Sequence, residues 1–360
     1  MRTRALLGRA ACTWALLLLG ACGGGPSSTA EPGEGPGFAW ALPEGFTTVP
    51  SPPDNPLTPE GVALGRWLFH SPKLSSTGQV SCATCHEQAR AFTDGDALTR
   101  RGVSGHPLVR HTPTLVNLAW MEGLFWDGGA KNLESLSLAP LSHPDEMGER
   151  DFAALMSRLS SDPEVVTRFE SALGPDSLTL SHLLRALAQF QRTLISADSR
   201  YDRWRRGEPG AWLGPRELLG LGLVRQRCAP CHGTELFTDN AFHNNGLDPD
   251  AAFGADEAVT RGRGRITQRA EDLGRYKTPT LRNVAVTAPY MHDGRLATLE
   301  DVLAHYRRHM VPSSTLEPVF LQRGGAPGLP LDDAETASIL AFLKTLTDER
   351  LLARPDLGAP

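Results

Sequence analysis

Cys82-Ala-Thr-Cys85-His86 and Cys228-Ala-Pro-Cys231-His232 repeat one five-residue pattern along a chain of 360 residues. Two thiols three positions apart can each form a thioether to one vinyl group of a porphyrin, and the adjoining His then lies beneath the iron as its proximal ligand. The pattern reads as attachment of two c-type haems. It uses four of the six cysteines, and the other two, Cys12 and Cys22, belong to the N-terminal leader. A rival reading is one structural zinc held by two Cys-x-x-Cys pairs. Against it, both pairs run straight into His and start 146 positions apart, at 82 and 228.

Residues 1–21 carry Arg2, Arg4 and Arg9, then an apolar run ending Leu16-Leu17-Leu18-Leu19, with no acid, which is the layout of a bacterial export signal. The closing Leu19-Gly20-Ala21-Cys22 resembles a lipobox, so Cys22 is expected to be acylated and to anchor the protein to a membrane on the periplasmic side of the cell envelope. Cleavage that leaves Cys22 as a free thiol is the other reading. Loss of the three arginines takes Lys plus Arg from 36 to 33 against 41 Asp plus Glu, a balance of −8 that argues against a nucleic-acid partner. The Arg261, Arg263, Arg265 and Arg269 stretch is Gly-interrupted and beside acids, which reads as a solvated loop or as a contact for haem propionates.

With 40% hydrophobic and 21% charged side chains, the chain can bury cores for two domains. Residues 23–37 are Gly-, Pro- and Ser-rich and read as a tether. Helical apolar spacing appears over 60–69, over 178–206 as the longest candidate, over 213–227 leading into Cys228, and over 332–346. Strand signals are sparse. The expected fold is mainly α, with two cytochrome c-like domains that each hold one covalently bound haem c. The expected division is 1–21 signal, 22–55 tether and arm, 56–207 N-terminal haem domain, 208–350 C-terminal haem domain and 351–360 tail. The haem motif with its preceding helix is the one internal repeat expected.

Segments 78–87 (GQVSCATCHE), 110–117 (RHTPTLVN), 125–129 (FWDGG), 228–233 (CAPCHG) and 277–294 (KTPTLRNVAVTAPYMHDG) together resemble the bacterial dihaem cytochrome c peroxidase and MauG superfamily. The resemblance runs from Leu64 to Leu346. The opening Phe38–Phe46 with Asp54-Asn55-Pro56 is similar to a narrower MauG-like group whose members lie beside a copper-binding partner, as in methanobactin operons.

The resemblance implies roles for particular residues. The first haem, on His86, would react with hydrogen peroxide, and the second, on His232, would store electrons. Trp126 corresponds to the tryptophan between the haems, with a core aromatic as the bland reading. Glu146 corresponds to the distal carboxyl, which can take a proton from one peroxide oxygen and return it to the other; a solvated loop acid is the alternative. Pro140 matches a proline that limits access to the iron. Leu136 stands where the family usually has Gln. Counting fourteen from His292 reaches Tyr306, where MauG-type enzymes have an anionic oxygen ligand and conventional peroxidases a Met. His305, His309 and Met310 are rival ligands there. Calcium would lie on the backbone carbonyls of Thr287 and Pro289, but His111 replaces the usual Asn and suits a hard cation poorly. His106 is expected to be a loop residue, Met291 a packing residue, and His70, His143, His182 and His243 structural or surface histidines.

Three functions compete. A MauG-like enzyme would use hydrogen peroxide to reach a high-valent dihaem state and oxidise Tyr or Trp on a partner protein. A cytochrome c peroxidase would reduce peroxide with electrons from a small cytochrome or copper protein. A carrier would only pass electrons. Tyr306 favours the first, and Glu146 with an open first iron favours either enzyme over the carrier.

Overall fold

The computed structural model describes residues 42, 44–254 and 259–360. The signal over 1–21, the Cys22 anchor and the tether over 23–37 lie outside the described residues. The first half contains α1 (Pro59–His70), α2 (Cys82–Cys85), α3 (Leu133–Leu136), α4 (Leu138–Ser142), α5 (Phe152–Ser160), α6 (Pro163–Leu173) and α7 (Leu180–Arg192). The second contains α8 (Arg200–Arg205), α9 (Pro215–Arg227), α10 (Ala229–His232), α11 (Gly264–Thr267), α12 (Leu299–Ala304), α13 (Asp333–Lys344) and α14 (Glu349–Ala353). One short antiparallel pair, β1 (Phe242–His243) with β2 (Tyr276–Lys277), is the only sheet among the described residues. The fold is mainly helical, as expected. Among the described residues no helix is long and apolar enough to cross a membrane.

Each half is built on one crossing of two long helices. Thr58 caps α1 by accepting from Gly61 N, with Pro59 at the first turn. Helix α1 then meets α7 so closely that a Cβ on Gly65 would lie 1.9 Å from the carbonyl oxygen of Ala186. In the second half a Cβ on Gly220 of α9 would lie 1.9 Å from Ser338 O of α13. The repeat is therefore larger than the haem motif. Pro113-Thr-Leu-Val-Asn117 recurs as Pro279-Thr-Leu-Arg-Asn283, and Phe190-Gln-Arg-Thr-Leu194 as Phe342-Leu-Lys-Thr-Leu346. The two asparagines share a left-handed backbone, φ 60° and 61°. Asn117 N donates to Leu194 O at 2.8 Å, and Asn283 N to Leu346 O at 3.0 Å.

The candidate helix over 178–206 is two helices. Helix α7 ends at Arg192, and α8 starts at Arg200 behind a capping box of Ser199 and Asp202. The intervening backbone is claimed by tertiary partners: Ser196 N donates to Asn117 Oδ1, and Asn117 Nδ2 to Ser196 O. Leu64 to Leu194 supply one apolar core and Tyr201 to Leu346 the other, with Val49, Leu57, Ile195 and Ala197 clustered separately. The segment expected as a tail is part of the first core, because Leu351 and Leu357 are buried in it. Arg282 and Asp202, both fully buried, form a two-pronged ion pair at 2.8 and 2.9 Å in the second half.

Candidate functional site

One continuous cavity of about 650 Å³ is lined by both Cys-x-x-Cys-His motifs together with Trp126, Pro140, Glu146 and Tyr306. In the first motif α2 presents Cys82 and Cys85, and the chain turns so that His86 Nδ1 donates to Phe92 O at 2.7 Å. In the second, His232 Nδ1 donates to Phe237 O at 2.8 Å. Fixing Nδ1 on a carbonyl leaves Nε2 as the ligating atom, the usual support for a metal-bound imidazole. Burial lowers the pKa of both rings, so each is the neutral form a metal needs. Burial also pushes the Cys82 thiol up to about 12 and those of Cys85 and Cys228 to about 11, which keeps them protonated. Two thiols and one oriented neutral imidazole per motif fit a haem c.

The single-zinc alternative does not fit. Among the described residues the one trio of potential ligand atoms within 4.8 Å of each other is Cys231, Asp239 and His243, which excludes three of the four motif cysteines. A thioether on Cys231 would also remove it as a thiolate.

On the first side, α4 carries Pro140, and the turn after it carries Glu146. Glu146 N donates to His143 O at 3.1 Å, and its carboxyl lies 3.7 Å from His143 Nδ1. Burial raises its pKa, with His143 opposing and Asp145 assisting. His106 is 77% exposed and pairs with Asp145 at 3.3 Å, so it is a loop residue. Leu136 and the buried Gln191 also line the cavity, and Gln191 Nε2 donates to Ser137 Oγ at 3.2 Å.

Trp126 joins the two halves. Its indole Nε1 donates to His111 O at 2.8 Å, while its own carbonyl accepts from Lys277 N at 2.8 Å. The arginine stretch is not solvated as a whole. Arg265, itself partly in solvent, binds the buried Asp127 carboxylate at 2.5 Å, Arg263 donates to Asp127 O and Gly128 O, and Arg269 pairs with Glu271 in solvent.

On the second side, α12 runs into a π turn, His305–His309, a feature that often marks functional positions. Tyr306 faces the cavity, and Asn245 Nδ2 lies 3.3 Å from its hydroxyl and 3.4 Å from Met291 Sδ. Burial pushes the phenol up to about 12. The rivals are turned away: His305 Nε2 is bonded to Asn245 O at 2.9 Å, His309 is exposed, and Met310 packs with Leu316 and Phe320. Asn245 and Met291 carry no signal in the sequence that marks them as neighbours of Tyr306.

Thr287, Pro289 and His111 line the same cavity, but His111 Nδ1 is committed to Asp96 O at 2.8 Å. An imidazole offers no oxygen, so this donor set fits calcium poorly. Of the remaining histidines, His292 stacks on Tyr276 with ring centroids 3.7 Å apart, and burial takes it down to about 3. His70 is bonded to Leu357 O and His182 to Ser177 O. His243 sits between the carboxylates of Asp239 and Glu317.

A mainly helical chain with two haem-attachment motifs and a buried carboxyl, Glu146, on one cavity has the make-up of a haem peroxidase-type oxidoreductase. Comparison with known proteins places it more narrowly. Residues 59–210 match the family model for di-haem cytochrome c peroxidase. The methylamine utilization protein MauG of Methylorubrum extorquens is 39% identical over 84% of this chain and 82% of its own length. Cytochrome c peroxidase Ccp of Escherichia coli is 34% identical over 82% of this chain and 60% of its own. A crystal structure of a MauG-like protein associated with microbial copper homeostasis superposes with a TM-score of 0.80 and 34% identity over 90% of this chain and 99% of that one. The chain belongs to the dihaem cytochrome c peroxidase and MauG family, and membership implies two haems c.

Proposed function

We propose that the protein is a MauG-like enzyme of the bacterial periplasm, anchored by lipid at Cys22, that oxidises Tyr or Trp residues of a partner protein at long range. Two haems c, attached through Cys82, Cys85, Cys228 and Cys231, would supply the reduction of hydrogen peroxide and hold its oxidising equivalents as a high-valent dihaem state. The observation that carries the reading is Tyr306, which lines the cavity beside the second motif while His305, His309 and Met310 point elsewhere. A phenolate oxygen is a hard anionic donor and favours the oxidised metal.

The other residues follow from their chemistry. His86 and His232, each held through Nδ1, would ligate the two irons. Glu146 accepts a proton from bound peroxide and returns it to the departing oxygen, and its raised pKa suits both halves of that exchange. Pro140 narrows the approach to the first iron. Trp126 spans the gap between the haem sites. The copper association of the structural neighbour supports a copper-binding partner.

Hydrogen peroxide added in stoichiometric amount to the diferric protein should give near-infrared absorbance that lasts for minutes. Bleaching without such a band, combined with rapid turnover of a reduced cytochrome, would transfer the assignment to a cytochrome c peroxidase, the activity named for the Escherichia coli relative.

A further inference from the structure

Reduction of hydrogen peroxide consumes protons as well as electrons: H2O2 + 2H+ + 2e− → 2H2O, with the O–O bond broken and two O–H bonds formed. Electrons taken at long range from Tyr or Trp of a partner, or from a reduced cytochrome, bring no protons with them. Glu146 moves a proton from one peroxide oxygen to the other, which supplies none in sum. The protons must therefore come from solvent, and Glu146 needs a neighbour that exchanges them.

His143 stands in that place. Its Nδ1 lies 3.7 Å from the Glu146 carboxyl, and both side chains line the cavity. The gap is about half an ångström beyond hydrogen-bond reach, slack of the kind that catalytic contacts take up on binding. The charge of Glu146 adds to burial in raising the thiols of Cys82 and Cys85, which places the carboxyl on the side of the first motif. The backbone of His143 is pinned at the end of α4: its N–H donates to Ala139 O, and its carbonyl accepts from Glu146 N at 3.1 Å and Gly148 N at 2.9 Å. The ring is not enclosed. It is 43% exposed and stands between exposed Ser142 and Pro144. The amide of Asp145 donates to Nδ1 at 3.2 Å, so the resting ring carries its proton on Nε2. Asp145 itself is engaged elsewhere, because Ser104 and then His106, from the loop packed on this turn, hold its carboxyl below the usual carboxylate range. That loop is locked in place: Val103 N donates to Glu146 O at 2.8 Å, and a Cβ on Gly102 would lie 1.8 Å from Asp145 O.

We propose that His143 carries protons between solvent and the pocket of the first haem through Glu146. The proposal rests on the proton-exchanging role of Glu146. Inward, the ring takes a proton from water at Nε2 and passes the proton on Nδ1 to the Glu146 carboxylate, which leaves the tautomer that the Asp145 amide favours. The outward path is the reverse. Between transfers the exposed ring exchanges its tautomers with water.

Hydrogen cyanide tests the outward path without turnover, because it must give up its proton to bind ferric iron as cyanide. The readout is its rate of association with the diferric holoprotein by stopped flow at neutral pH. His143→Gln keeps an acceptor for the Asp145 amide but cannot carry a proton, and it should slow association by roughly ten-fold. His143→Ala should be slowed equally and should recover when lutidine is added, a base whose methyl groups hinder it from ligating iron. His143→Gln at the wild-type rate, or His143→Ala slowed and unresponsive to lutidine, overturns the proposal. Glu146→Gln separates the two ideas: association unchanged in that variant defeats the proton role of Glu146, whereas association slowed there with both His143 variants at the wild-type rate defeats only the role of His143.

Discussion

Tyr306 and Glu146 are single atoms' worth of difference from other chemistry. Tyr306→Met exchanges an anionic oxygen for a thioether, which favours the reduced iron. The second haem should then show a higher reduction potential by spectroelectrochemistry, and the near-infrared band should be absent after peroxide. Glu146 is a carboxyl whose folded pKa is raised by burial. Its protonated form is the one the fold prefers, so its contribution to stability is complete below the ordinary Glu value of about 4.3 and is lost as pH rises through the folded pKa. Activity runs the opposite way, because the first proton transfer needs the ionised form. The rate of peroxide reaction in stopped flow should rise with pH around a midpoint above that ordinary value. Glu146→Gln should flatten this profile, slow the reaction by about 10²- to 10⁴-fold, and leave the neutral-pH melting temperature equal or higher. The motif residues were readable because thioether chemistry dictates their spacing, and Tyr306 and Glu146 because a resemblance supplied the count. Asn245 and Met291 were not readable. Asn245 reaches Tyr306 across 61 positions and Met291 across 46, and only the packed fold decides such approaches.

At the scale of elements, two helix crossings set the spacing of everything mounted on them. Helix propensity alone predicts that Gly65→Ala and Gly220→Ala would stabilise their helices by up to about 1 kcal/mol. The added Cβ would meet a backbone carbonyl at 1.9 Å in each case, and backbone cannot move aside as a flexible side chain can. Overpacking wins, and each variant should lose about 1–3 kcal/mol by urea unfolding. Gly222→Ala, on the same helix as Gly220 but with nothing within 4 Å, should show the propensity gain instead. Loss in Gly222 as well would mean that the crossing is not what demands glycine. The helices that enter these crossings were legible from apolar spacing. The break after Arg192 was not, since apolar residues continue through Leu194, Ile195 and Ala197 on backbone that pairs with Asn117 in place of its own helix. The duplicated Pro-Thr-Leu-x-Asn and Phe-x-x-Thr-Leu segments are short and lie 77 and 63 positions apart within their halves, so it is the shared Asn N–H to Leu carbonyl bond of the fold that marks them as one repeat.

At the scale of the molecule, the C-terminal segment returns to the first core. After α13 completes the second core, α14 and the residues beyond it return to the first. Arg66 Nε donates to Gly358 O at 2.7 Å, and Gln88 Nε2 to both Leu351 O and Arg354 O at 2.8 Å. Gln88 follows His86 by two positions, so the last dozen residues brace the loop behind the first iron's ligand. Composition hid this, because Arg-Pro-Asp-Leu-Gly reads as a polar ending and Leu357 is its single buried apolar side chain, 1% exposed. Leu357→Ala should cost about 2–5 kcal/mol, the range for emptying a buried leucine site. The loss should be local as well as global. Hydrogen exchange over residues 82–92 should quicken, while residues 228–240 around the second motif should keep their protection, because the tail's hydrogen bonds run to Arg66 and Gln88 in the first half. Equal quickening at both motifs would show that the segment stabilises the chain without specifically supporting the first motif.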